Sequence, residues 1–133
     1  MESSASLAMR RFRMLALIVS PIAALNLVHG AARLALGAGD QVPECALAAA
    51  AGALLVVAAA GGALGRRWAP RLWLLGLATG VARVLAALAY AYRQVPNAPA
   101  WPLALGAAVA LVVGVVLARF GWAAHRAGVH AAT

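Results

Sequence analysis

Four long apolar stretches dominate the chain, at residues 14–36, 45–65, 72–92 and 101–118. Each is close to the length of about 20 residues that a helix needs to cross the hydrocarbon core of a bilayer. Lipid offers no hydrogen bonds to the backbone, so a spanning segment is expected to be helical. The pattern predicts an all-α membrane protein, with four transmembrane helices in one domain over residues 1–133 and short N- and C-terminal tails.

Short connections rich in Gly and Pro separate these stretches, at residues 37–43, 65–70 and 94–99. Short connections favour antiparallel sequence neighbours, which predicts an up-down-up-down bundle. Aromatic residues near the predicted helix ends are expected at the headgroup layer: they are Trp68, Trp73, Tyr92, Trp101 and Trp122.

Composition supports a membrane location, because 65% of the residues are apolar and only 11% are charged. About a quarter of the residues of an ordinary soluble domain are charged. The net charge of +8 comes from eleven Arg residues and three acids. These Arg residues are spread between apolar runs and form no broad basic face, so we do not expect nucleic-acid binding.

The Arg residues predict the orientation of the chain. Eight of them flank the predicted spans on one side: Arg10, Arg11, Arg13, Arg66, Arg67, Arg71, Arg119 and Arg126. The other side carries Asp40, Glu44 and Arg93. The positive-inside rule therefore predicts a multi-pass protein of the bacterial inner membrane, with both termini in the cytoplasm.

A second interpretation treats the N-terminal Arg cluster and the first apolar run as a secretory signal. Its cleavage site would be Gly30-Ala31-Ala32, which would leave three helices. Signal cores usually span about 7–15 residues, whereas this run is longer and continues past Ala32. We favour an uncleaved first span.

Polar side chains form a stripe on each of two predicted helices. Asn26, His29 and Arg33 lie three and four residues apart on the first helix, and Arg83 and Tyr90 share one face of the third. Counted from Met14 and Leu72, the rise per residue puts Arg83 about 16 Å into the hydrocarbon, His29 about 22 Å and Arg33 about 28 Å. Arg33 is thus expected to reach the outer interface near Asp40 and Glu44.

Arg83 needs a partner, because an Arg at the centre of a membrane helix costs about 2.5 kcal/mol or more. One hypothesis is that Glu44, at the start of the second helix, pairs with Arg83 and fixes the helix arrangement. The other is a ligand-binding pocket open to the outer leaflet, formed by Asn26, His29, Arg83 and Tyr90. Such a pocket would suit a small anion, a lipid headgroup or a quinone-like molecule.

Catalytic and metal-binding patterns are not apparent in the sequence. Cys45 has no evident His partner, and His29 is the single His within the predicted spans, so a bis-His site would require a symmetric dimer. We therefore predict no enzymatic activity, no metal site and no cofactor, with quinone or lipid considered only as a ligand.

In overall plan, the chain resembles the DoxX-like group of small bacterial membrane proteins. The resemblance rests on four helices within about 130 residues, the basic turn Gly65-Arg66-Arg67-Trp68 and the segment Gly80-Val81-Ala82-Arg83 of the third helix. It implies a four-helix fold, and some members of the group are linked to quinone-dependent oxidation. No site residues are carried over from it.

Three functions are compatible with these features. The first is a non-enzymatic accessory or scaffold subunit, held to other membrane subunits or to a second copy by small-residue faces such as Ala48 and Gly52. The second is binding or transport of a ligand around Arg83. The third is a pore-forming holin, for which lysis on controlled expression would be the sign.

The orientation can be tested with reporter fusions in a bacterial host. Alkaline phosphatase fused after Asn97 should be active, because that connection is predicted to lie outside, whereas the same enzyme fused after Thr133 should be inactive. Green fluorescent protein should show the opposite pattern. Phosphatase activity at the C-terminus would contradict the predicted orientation.

Overall fold

The computed structural model describes residues 3–130, which form four long helices. They are α1 (Ser4–Ala35), α2 (Val42–Ala63), α3 (Ala69–Gln94) and α4 (Trp101–His130), with a short 3₁₀ turn at Gly39–Gln41 before α2. No strand occurs in this part of the chain. Each of the four helices is long and apolar enough to cross a membrane, which confirms the all-α prediction and the four apolar helices.

Two of the helices extend well beyond their apolar runs. α1 begins at Ser4 rather than at Met14, and α4 continues to His130 rather than ending at Ala118. Residues 4–13 and 119–130, which flank the predicted spans, are thus helical as well. Apolarity indicates how much of a helix suits hydrocarbon, whereas the helix itself continues as long as its caps and packing support it.

The extensions have local causes. Ser3 caps α1, since its Oγ accepts a hydrogen bond from the Ser6 N–H at 3.2 Å. Phe12 in the first extension and Ala124 in the second are fully buried in the core. Packing of each extension against the core thus stabilises turns that hydropathy alone assigns to the tails.

The four helices form a ring in chain order. Each helix packs against the next, and α4 returns to contact α1, whereas α1 and α3 lie diagonally, as do α2 and α4. The α1–α4 seam has the least extensive contact of the four neighbouring pairs. α2 is the most enclosed helix: 44% of its most apolar stretch is buried, and none of the equivalent stretch of α4 is.

Glycine allows the backbones of α1 and α2 to touch. A Cβ added at Gly30 would lie 2.5 Å from the Cys45 carbonyl oxygen, and one at Gly52 would lie 2.5 Å from the Ala23 carbonyl oxygen. No side chain fits in either place without moving a helix. Small residues supply the close approach that lipid does not drive, so these two glycines are used inside the bundle.

The glycines of α4 serve the same purpose against α3. Each of three glycines lies under a side chain of α3: Gly106 under Leu88, Gly114 under Val81 and Gly121 under Trp73. Cβ atoms added at these glycines would lie 3.1, 2.8 and 2.5 Å, respectively, from atoms of those side chains. These three glycines of α4 are therefore occupied within the bundle.

Trp73 is the largest fully buried side chain and lies in the core of the bundle, so its ring packs against other helices. Its ring meets Phe12 edge-to-face, with centroids 5.6 Å apart, and its indole N–H donates to the Leu117 carbonyl at 3.1 Å. Because Gly121 leaves room for the ring, Trp73 joins α1, α3 and α4 at one point.

Pro21 lies inside α1 and deprives the Leu17 carbonyl of its helical donor. The neighbouring Ser20 hydroxyl donates to that carbonyl at 2.9 Å. A polar group that a proline would leave unpaired in hydrocarbon is thus satisfied within the same helix.

Candidate functional site

Arg83 forms an ion pair with Glu44. Its terminal guanidinium nitrogen lies 3.2 Å from Glu44 Oε1, which joins the middle of α3 to the first turn of α2. The N-terminus of a helix favours a carboxylate because the backbone N–H groups there carry partial positive charge. Glu44 therefore supplies the counter-charge of Arg83 inside the bundle, which was one of the two hypotheses from the sequence.

The pair lies mostly inside the protein, with relative side-chain exposures of 28% for Arg83 and 16% for Glu44. Arg83 Nε is buried and has no hydrogen-bond partner within residues 3–130. A guanidinium has five N–H donors, so the contact with one carboxylate oxygen leaves hydrogen-bonding capacity unused. The Nε atom has almost no exposed surface, however, and a ligand would reach it only if the helices moved.

The other polar groups at the start of α2 are arranged differently from the prediction. Arg33 donates from its terminal nitrogen to Gln41 Oε1 at 2.7 Å, rather than to Asp40 or Glu44. Both Arg33 and Asp40 are exposed. Gln41 was missed as a partner because it carries no charge, although a polar residue in the short connection after Arg33 was a usable signal.

The four residues of the predicted pocket do not converge on Arg83. α1 and α3 are diagonal in the ring, and the cleft that Asn26 lines is not lined by His29, Arg83 or Tyr90. His29 is exposed, and Tyr90 is partly buried with no hydrogen bond recorded in the described part of the chain. The stripe on α1 faces α2 at Gly30, where the two backbones touch.

Asn26 lines a separate cleft of about 420 Å³ to which all four helices contribute. Its other lining residues are apolar: Val19, Leu55, Leu77, Gly80, Val81, Val84, Gly106, Val109, Ala110, Val113, Gly114 and Leu117. Val109 and Val113 are about half exposed, at 54% and 50%, so the cleft opens to the surface of the bundle beside α4. The structure records no hydrogen bond from the Asn26 side chain to any residue in 3–130.

Gly80 keeps part of this cleft open. A Cβ at Gly80 would meet nothing nearer than the Ala51 Cβ at 3.9 Å, in contrast to the backbone contacts at Gly30 and Gly52. Because Gly80 has no side chain, it leaves open space in the cleft and does not bring two helix backbones into contact. Sequence reasoning did not find the cleft, because its walls come from all four helices and form only when these pack together.

The described residues contain no group of three or more His, Cys, Asp or Glu side chains that could hold a metal ion. Cys45 is buried, and its backbone packs against Gly30. Comparison with protein-family models, with curated proteins and with solved structures found no match to this chain.

The ion pair predicts a specific pattern of stability. Glu44→Gln should lower the free energy of unfolding by about 1–3 kcal/mol, less than the 3–5 kcal/mol typical of a fully buried pair, because both side chains keep some exposure. Arg83→Leu combined with Glu44→Gln should recover much of that loss, since no uncompensated charge remains. Unfolding in mixed micelles followed by circular dichroism measures both effects.

Asp40→Asn is the matched control, because it removes the same charge from an exposed position in the same part of the chain. It should change stability by less than about 0.5 kcal/mol. Equal losses for the Asp40 and Glu44 variants would show that the pair makes no specific contribution.

Proposed function

We propose that this chain is a non-enzymatic accessory or scaffold subunit of a larger assembly in a bacterial inner membrane. In this proposal it is an up-down-up-down bundle with both termini in the cytoplasm. It contributes a preformed helical surface to which other membrane helices dock.

The contacts between helices support the up-down arrangement. Along the α1–α2 interface, Gly30 approaches Cys45 and Gly62 approaches Phe12, so residue numbers rise on one helix as they fall on the other. The α2–α3 interface behaves in the same way, with Gly61 near Ala69 and Glu44 near Arg83. The Arg distribution supports the cytoplasmic location of the termini.

The outward surface of α2 is the observation that carries the scaffold proposal. Ala46, Ala50, Val57 and Ala60 are exposed along it, and Val42 and Val57 are the only large apolar side chains exposed on this helix. The outward surface of α1, in contrast, carries Met14, Leu17, Ile18, Ile22, Leu25 and Val28. Lipid is well matched by large aliphatic groups, whereas small residues let a second helix approach closely.

The Arg83–Glu44 pair supports the same interpretation. Arg83 has a counter-charge inside the bundle, so its neutralisation requires no ligand. The pair also joins α2 to α3 and keeps the α2 surface in a fixed position relative to the rest of the bundle. A rigid surface loses little conformational freedom when a partner docks on it.

The test is the size of the complex in native membranes. A tagged chain, solubilised in mild detergent, should migrate on native gels as part of a large assembly, and Ala50→Leu should shift it towards the size of the free chain. Leu at this position separates the helix backbones and removes close packing. Ala24→Leu, on the exposed surface of α1, is the control and should leave migration unchanged.

The same chain produced alone in a foreign host should migrate as a small species. An identical large size in both hosts would show self-association and contradict the accessory role. Unchanged migration of the Ala50→Leu variant would contradict docking through α2.

A second candidate function is binding of a lipophilic, quinone-like or lipid-like ligand in the cleft at Asn26. The observation that favours it is the Asn26 amide, which lines an apolar space and has no partner in the described chain. An amide in hydrocarbon without a hydrogen bond is costly, so a ligand carbonyl or hydroxyl in the cleft would be stabilised there. This places the ligand beside Asn26 and Gly80 and away from Arg83.

Photolabelling of the protein in phosphatidylcholine vesicles with benzophenone, a lipophilic ketone, tests this candidate. Labelling should map to Val109 and Val113, and both Asn26→Leu and Gly80→Leu should reduce it, the first by about 3- to 10-fold through loss of a hydrogen bond. Val112→Leu, on the exposed surface of α4, is the control. Equal labelling of all variants would reject the cleft as a ligand site.

A further inference from the structure

A second groove lies on the seam between α1 and α4, near the ends that carry the Arg clusters. Its volume is about 580 Å³. Apolar side chains, among them Leu7, Val116 and Phe120, form much of its wall. Arg11 from α1 and Arg119 from α4 also line it, so two positive charges from different helices converge on one apolar groove.

Neither arginine has a partner inside the described protein. Arg11 and Arg119 are exposed, and no ion pair or hydrogen bond of their side chains is recorded within residues 3–130. Arg126, also on α4, differs because its guanidinium stacks over the Trp122 ring, 5.7 Å from the ring centroid. The groove therefore holds cations that are available to an external anion.

Helix length places the groove relative to the bilayer. α1 has 32 residues and α4 has 30, which corresponds to about 48 and 45 Å at 1.5 Å per residue. The hydrocarbon core is about 30 Å thick and the whole bilayer about 40–45 Å. Arg11 comes just before the first apolar run and Arg119 just after the fourth, so both lie at the boundary between hydrocarbon and headgroups.

We propose that this groove binds an anionic phospholipid. The phosphate lies between the guanidinium groups of Arg11 and Arg119, whose planar arrays of N–H donors match phosphate oxygens. One acyl chain runs past Val116, which lies on the membrane side of Arg119, towards the membrane interior. Apolar walls beside paired cations favour an amphiphile with a negative head over a free anion, which would gain nothing from the walls.

Such a lipid would close the ring of helices. The seam between α1 and α4 is the least extensive of the four helix contacts, and two like charges, one from each helix, repel each other in the groove along it. A bound phosphate relieves that repulsion and bridges the two helices. Binding to the folded bundle should therefore raise its thermal stability, with the logarithm of the lipid concentration once this exceeds Kd.

The test measures lipid retention by the full chain with native mass spectrometry, using phosphatidylglycerol and phosphatidylcholine as the two probes. The wild type should retain phosphatidylglycerol preferentially, and Arg11→Gln with Arg119→Gln should weaken this by about 30-fold. Arg66→Gln with Arg67→Gln is the matched control, because it removes the same charge from another basic segment. This control should keep the preference.

A second variant separates the groove from the charge. Ala123→Leu fills the groove while both arginines remain, and it should also lose phosphatidylglycerol, whereas Ala104→Leu on the exposed surface of α4 should not. Thermal unfolding in phosphatidylcholine checks that each variant is folded.

Three results would overturn the proposal. They are equal retention of the two lipids by the wild type, equal loss in the two double Arg variants, and full displacement of the lipid by millimolar inorganic phosphate. The last result would indicate a site for the free anion instead of a lipid.

Discussion

Hydrocarbon offers no hydrogen bonds, and this constraint shapes the whole protein. Each polar group within a span must find a partner in the chain itself, which is why all four spans are helices. The Ser20 hydroxyl bonds the carbonyl that Pro21 leaves free, and the Trp73 indole bonds the Leu117 carbonyl. A charged group in a span likewise needs a counter-charge, and Glu44 supplies it for Arg83.

Helix packing is subject to a related constraint, because lipid provides no hydrophobic driving force for the association of apolar helices. Close backbone approach at Gly30 and Gly52 joins α1 to α2, and glycines of α4 receive large side chains of α3. These contacts make α2 the enclosed member of the ring and leave α4 the least buried. The interfaces that glycine supports are closely packed, whereas the α1–α4 seam is the least extensive.

The exceptions to this constraint are the sites at which we propose that the protein meets other molecules. Asn26 has no partner in the described chain and lines an apolar cleft, and Arg11 and Arg119 line a groove between α1 and α4. Both features lie beside α4, where packing is weakest. The outward surface of α2 is an exception of another kind. It exposes small residues to lipid, and small residues are suited to close packing against a second helix. Accessory docking, ligand binding and lipid binding are three proposals that depend on three different surfaces.

The sequence alone determined the helices, because apolar length reports directly how much chain suits hydrocarbon. It also identified Arg83 as the charge that needs a partner and named Glu44 as one candidate, since only three acids exist in the chain. Helix ends at Ser4 and His130 were beyond its reach, because packing of Phe12 and Ala124 extends helices that hydropathy ends earlier. Only the tertiary structure decided that α4 returns to α1 and that α1 and α3 lie diagonally. That arrangement paired Arg83 with Glu44, turned Gly30 towards α2 and put Asn26 in a cleft away from Arg83. The physical reason is that the direction in which a helix face points depends on the packing of all the other helices in the ring.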